Sequence, residues 1–192
     1  FTLLNGIFAF SIYDIHADKL YLCRDRVGIK PLYYYFDGTQ FAFASEIKAL
    51  KAMPDLHMPI NNAALAEFLH IGFLTEPDTA FQQVWKFPAG NFVEIDVKSL
   101  NNNTIFPFTA YWNLHQQVLP NTHSNEAEVE KKLEELLIAS IASQMISDVP
   151  LGTFLSGGID SSLITALASK IKKDKIKTFS IGFQNSHFDE TI

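Results

Sequence analysis

The string Ser156–Gly157–Gly158–Ile159–Asp160–Ser161–Ser162 restricts this chain more than any other feature. A short apolar run, Thr153–Phe154–Leu155, precedes it. Leu163, Ile164, Leu167, Ala168 and Ile171 then recur at helical spacing across Ile159–Lys173, and Lys177–Phe183 reads as a strand. A strand, a Gly–Gly turn, a helix and a second strand predict a β–α–β unit with parallel strands and a right-handed crossover.

The turn in that unit carries chemistry. Two adjacent glycines let the backbone bend sharply and approach a ligand without Cβ obstruction. Amides at a helix start face outward, and the helix dipole favours an anion there. Three serines add hydroxyl donors, so the string is a phosphate cradle. It is neither a P-loop, which carries Lys where Asp160 stands, nor the G-x-G-x-x-G dinucleotide fingerprint. A carboxylate beside phosphate repels it unless a cation bridges the two, which makes Asp160 a candidate Mg²⁺ residue.

The preceding sequence reads differently. Ile7–Tyr13 and Leu20–Cys23 predict one hairpin, turned at His16–Lys19; Leu32–Phe36 and Gln40–Ala44 predict another across Asp37–Gly38. Tyr33–Phe36 reads as the two faces of a buried strand rather than a stacking platform. Ser45 is placed to cap a short helix through Leu50, and Asn61 or Asn62 one over Ala63–Ile71. Phe87–Gly90 predicts a turn and Asn91–Asp96 a strand. Pro120–Asn125 reads as a linker. Beyond it Asn125 caps a long helix, with Glu126, Glu128 and Glu130 at its positive end. Val129, Leu133, Leu136, Leu137, Ile141 and Met145 form its apolar face, and it should stop near Ser147, before Pro150. Asp189–Glu190 reads as the acidic first turn of a further helix.

With 15 Lys and Arg against 21 Asp and Glu, the net charge is −6, which disfavours nucleic acid as a partner. No stretch approaches the roughly 20 apolar residues of a membrane span. The single cysteine, Cys23, excludes an internal disulfide and fits a reducing, cytoplasmic setting. The six histidines lack metal-ligand spacing. The chain opens at Phe1 and closes mid-pattern, and is expected to be an excerpt of a longer polypeptide.

Ser156–Ser162 resembles the SGGxDSS loop of the ATP-pyrophosphatase superfamily. Ser147–Gly152 before it and Thr178–Phe183 after it narrow the resemblance to glutamine-hydrolysing asparagine synthetases. The N-terminal half agrees: Leu4–Phe10, Arg24–Tyr33 and Ala44–Leu50 resemble the later part of that family's class II glutaminase domain, and Phe87–Gly90 its domain-joining segment. The implied fold class is α+β followed by α/β. Residues 1–100 would be the later part of an N-terminal-nucleophile antiparallel β domain, 101–124 a linker, and 125–192 the start of a parallel-sheet synthetase domain.

The resemblance implies that glutamine supplies ammonia, that Mg·ATP adenylates aspartate, and that asparagine, AMP and pyrophosphate leave. Ser156, Gly157, Gly158, Asp160, Ser161 and Ser162 match the pyrophosphate loop, with Asp160 a Mg²⁺ candidate. Leu155 and Ile181 match positions that hold adenine through their backbones, and Asp25 matches a residue that holds the glutamine amino group. The family's catalytic N-terminal Cys has no counterpart, since residue 1 is Phe and Cys23 is internal. The 192 residues alone are therefore expected to be inactive, and no catalytic residue is assigned among them. A homodimer is a family expectation. Alternatives are a relative amidating another carboxylate, a β-lactam synthetase-like ring closer, and a non-catalytic remnant.

Overall fold

The computed structural model describes residues 1–118, 125–172 and 175–182. The chain separates into two compact units, Phe1–Leu119 and Pro120–Ile192.

The first unit is built from two antiparallel sheets. β1 (Ala9–Asp14), β2 (Lys19–Arg24), β6 (Asn91–Asp96) and β7 (Thr109–Ala110) form one, in the order β1-β2-β6-β7. β3 (Tyr33–Phe36), β4 (Phe41–Ala44) and β5 (Val84–Lys86) form the other, in the order β4-β3-β5. Both expected hairpins are present, with Phe10 opposite Cys23 and Tyr34 opposite Phe43. Asp37 shapes the second turn by accepting from the amides of Thr39 and Gln40.

Strand alternation sets the core. Tyr34 faces a cluster with Leu22, Leu32, Phe87, Val93 and Ile95, which draws side chains from both sheets. Its neighbour Tyr35 faces the opposite way, into Ala42, Leu50 and Val84. Leu50 belongs to α1 (Ile47–Lys51), which covers that second face. The aromatic run thus serves two cores, as its spacing predicts.

Some expectations are corrected. Ser45 does not cap α1: the helix begins one residue later, at the Glu46 N-cap position, without a side-chain cap. Asn61 rather than Asn62 caps α2 (Asn62–Ile71), its side chain accepting from the Ala64 amide at 3.2 Å. Residues 101–118 do not form an open linker. Phe106 and Phe108 pack on the first core, and β7 extends the first sheet. Two aromatic side chains bury more apolar surface there than a solvated linker could, so the chain stays on the sheet. β5, β7 and α3 (Leu114–Gln117) had no sequence signal strong enough to mark them.

The second unit holds α4 (Glu126–Gln144), β8 (Gly152–Phe154), α5 (Ile159–Lys172) and β9 (Lys177–Phe179). Asn125 caps α4, accepting from the Ala127 amide. The helix ends at Gln144 with Met145 as C-cap, short of the expected Ser147. β8 and β9 are parallel, with Thr153 opposite Thr178, as the β–α–β pattern requires. β9 stops at Phe179, earlier than the expected Phe183. Residues 120–124 of the expected linker, Lys173, Phe183 and Asp189–Glu190 lie outside the described residues.

Candidate functional site

The seven-residue string occupies the turn between β8 and α5. Two contacts hold the turn on its strand pair. The Leu155 amide donates to the Phe179 carbonyl at 2.9 Å, and Ser180 Oγ donates to the Leu155 carbonyl. Thr165 Oγ1 donates to Thr153 Oγ1 at 3.1 Å and ties α5 back to β8. Ser180 lies in the Thr178–Phe183 stretch that carries the resemblance, which gave it no role of its own.

Inside the turn, Gly157 has φ +86°, a conformation that a side chain resists. Ser156 and Ser161 face each other: their Oγ atoms lie 3.1 Å apart, and the Ser156 amide donates to Ser161 Oγ at 3.3 Å. Ser161 Oγ donates to the Gly158 carbonyl, and the Ser162 amide closes the first helical bond to the same oxygen. The amides of Ile159, Asp160 and Ser161 therefore precede the helical ladder, where the dipole favours negative charge. Gly157, Gly158, Ile159, Asp160 and Ser162 are exposed. A hydroxyl pair braces the loop from within. Leu155 and Ile181 lie just past the C-terminal ends of adjacent parallel strands, where open parallel sheets receive ligands.

Asp160 is the one carboxylate in the first turn of α5. No group of three or more His, Cys, Asp or Glu suited to a metal occurs among the described residues. One exposed carboxylate at a helix start fits Mg²⁺ brought in with phosphate and water, and does not fit an all-protein metal cage.

Asp25 is held within its own turn. It is 1% exposed. Its Oδ1 accepts from the Ile29 amide at 2.9 Å and the Val27 amide at 3.3 Å, and its Oδ2 from the Lys30 amide at 2.8 Å. Burial opposes its charge, but these donations outweigh it and hold the carboxyl below its ordinary value. The turn that follows Asp25 thus engages both of its oxygens, which makes the residue an anchor of that loop. Cys23, beside it, is fully buried, and burial pushes its thiol up to about 11. A thiol so protonated is no nucleophile at neutral pH.

Residues 1–112 match the glutamine amidotransferase domain and residues 132–192 the asparagine synthase domain. The chain belongs to the glutamine-hydrolysing asparagine synthetase family. The putative asparagine synthetase [glutamine-hydrolyzing] 2 of Methanocaldococcus jannaschii is 34% identical over 97% of this chain and 35% of its own length. Asparagine synthetase [glutamine-hydrolyzing] 3 of Bacillus subtilis is 35% identical over 95% of this chain and 29% of its own length. The chain thus spans about a third of the length of these curated relatives. Asp25 and Cys23 lie in the amidotransferase match, and the Ser156–Ser162 loop in the asparagine synthase match. Among the described residues no helix is long and apolar enough to cross a membrane.

Proposed function

We propose that this chain is part of an enzyme that converts aspartate to asparagine with ammonia released from glutamine and energy from ATP. The observation that carries the reading is the strand–SGGxDSS–helix turn with its exposed helix start, in the same chain as an amidotransferase unit.

The chemistry needs such a turn. A carboxylate is a poor acceptor for ammonia, so an oxygen of the aspartate side chain attacks the α-phosphorus of ATP and pyrophosphate leaves. Ammonia then attacks the acyl carbon; AMP departs and a proton is released. Gly157 and Gly158 admit the pyrophosphate to the backbone. The amides at the start of α5 and the hydroxyls of Ser156, Ser161 and Ser162 donate to it as charge develops. The Ser156–Ser161 pair is in place beforehand and turns outward or shares its protons as the anion arrives. Leu155 and Ile181 offer backbone groups to adenine. Asp160 would hold Mg²⁺, which supplies charge neutralisation on the leaving pyrophosphate.

In the amidotransferase unit Cys23 is not the nucleophile. Its thiol is buried and protonated, and an internal residue lacks the α-amine base that this family's chemistry uses. The 192 residues alone are proposed to have no glutaminase or synthetase turnover, and turnover by the purified piece would refute that.

The direct test uses the full-length native protein with aspartate, glutamine and Mg·ATP. Asparagine, glutamate, AMP and pyrophosphate should appear together. Gly157→Ala should abolish pyrophosphate release and leave glutamate formation intact. Amidation of a different carboxylate, with aspartate inert, would overturn the substrate assignment.

A further inference from the structure

A buried polar centre sits far along the sequence from the exposed Ser156–Ser162 loop. Arg24 is 6% exposed, yet its ion-pair partner among the described residues is the half-exposed Glu76, at a loose 3.8 Å from Nη1. Three backbone carbonyls meet the guanidinium instead. Nε donates to Lys30 O at 2.8 Å, Nη2 to Gly28 O at 2.7 Å and Nη1 to Phe87 O at 2.5 Å. The first two lie on the turn after Asp25, and the third on the turn before β6.

Asp25 completes the arrangement from the other polarity. While its carboxylate takes the amides of Val27, Ile29 and Lys30, its carbonyl accepts from Gly28 N–H at 3.1 Å and Gly90 N–H at 2.9 Å. Tyr111 Oη donates to the Arg24 carbonyl at 2.8 Å. The packing leaves no slack. A Cβ on Gly28 would stand 2.9 Å from the Arg24 guanidinium carbon, and one on Gly90 would stand 2.7 Å from the Trp112 carbonyl. One turn supplies its carbonyls to Arg24 and its amides to Asp25, and both residues also grip the 87–90 turn.

We infer that Arg24 and Asp25 are positioning residues that clamp the Arg26–Lys30 turn to the Phe87–Gly90 turn and so set the geometry of the glutamine-handling unit. The functional part rests on the amidotransferase reading proposed above; the clamp itself does not. The pair touches no reacting atom. Neighbouring residues of opposite charge are used here against backbone groups, rather than against each other.

The test takes the full-length native protein with Arg24→Lys, Tyr111→Phe and, as a control, Thr79→Val. Thr79 is buried in the same unit and bonded to Phe81 and Val84, outside the clamp. Lysine keeps the charge but cannot reach three diverging carbonyls. Amide exchange should rise at 26–30 and 87–90 together in Arg24→Lys, and more weakly in Tyr111→Phe. Glutamine-supported amidation should fall about tenfold in Arg24→Lys, while ammonia-supported amidation holds. Thr79→Val should leave the ratio of the two rates unchanged at a similar loss of thermal stability. Exchange that rises in only one of the two turns overturns the clamp. An equal fall in that ratio for Thr79→Val overturns the positioning role. If the unaltered protein makes no amide from glutamine, the amidotransferase reading fails, and the exchange comparison still decides the clamp.

Discussion

Asp25→Asn is the sharpest probe of how the first unit is held. The native carboxylate accepts three amides, two on Oδ1 and one on Oδ2. Asparagine keeps an acceptor for Val27 and Ile29, but its NH₂ then confronts the Lys30 amide, donor against donor. One charge-assisted bond is lost and the partly buried Lys30 N–H is stranded, which costs about 2–3 kcal/mol. With a urea m-value of about 1–3 kcal/mol/M, the midpoint should fall by roughly 0.7–3 M. Both tryptophans, Trp85 and Trp112, lie in the first unit, so their fluorescence reports that unit. The pH dependence has a definite sign. The folded carboxyl sits below its ordinary value, so its contribution is present above the unfolded value of about 3.9 and is lost as pH falls through the folded value. The gap between the native protein and Asp25→Asn should be full at pH 7 and narrow below about pH 4. Equal midpoints at pH 7, or a gap that stays constant to pH 3, would refute the account.

Other outcomes follow from the same structure. Cys23 should resist iodoacetamide at pH 8 in the native protein and react at once in urea, since it is fully buried with its thiol pushed up to about 11; mass spectrometry of the modified chain reads this. Phe87→Ala should cost about 3–5 kcal/mol in urea unfolding, because the ring is fully buried and stands edge-on to Phe108 at 5.1 Å. Gly28→Ala should cost more than a surface change, since its φ of +69° resists a side chain and the new Cβ meets Arg24; a thermal midpoint checks it. Asp160→Asn should weaken Mg·ATP binding in titration calorimetry and leave the thermal midpoint nearly unchanged, because the residue is exposed.

The sequence was most legible where one local pattern sufficed. The β8–turn–α5–β9 unit follows from apolar spacing and two glycines, and β6 falls on the expected Asn91–Asp96. The Asp37–Gly38 turn was legible for the same reason. Legibility failed where partners are distant in sequence. β5 is three residues long and exists because β3 pairs with it, and β7 is two residues beside β6. Phe106 and Phe108 follow a polar Asn101–Asn103 turn, so a linker was the natural reading until the core claimed them.

Asp25 shows the same limit at a site. Arg24–Asp25 invites either an ion pair or a ligand role, because both are local readings of two adjacent charges. The structure turns both charges on backbone groups instead of on each other. Arg24 reaches a carbonyl 63 residues away, and Asp25 accepts amides up to five residues ahead. Bonds to backbone groups leave no trace in residue identity, since every residue but proline offers the same donor and acceptor. What sequence does register is the space such a clamp requires, and glycine stands at both close approaches, 28 and 90. An arginine and aspartate followed closely by a glycine is thus better read as a candidate turn clamp than as a charge pair. The distinction is measurable: screening salt should weaken an exposed ion pair, whereas a buried clamp made with carbonyls and amides should hold its amide protection from low to high ionic strength.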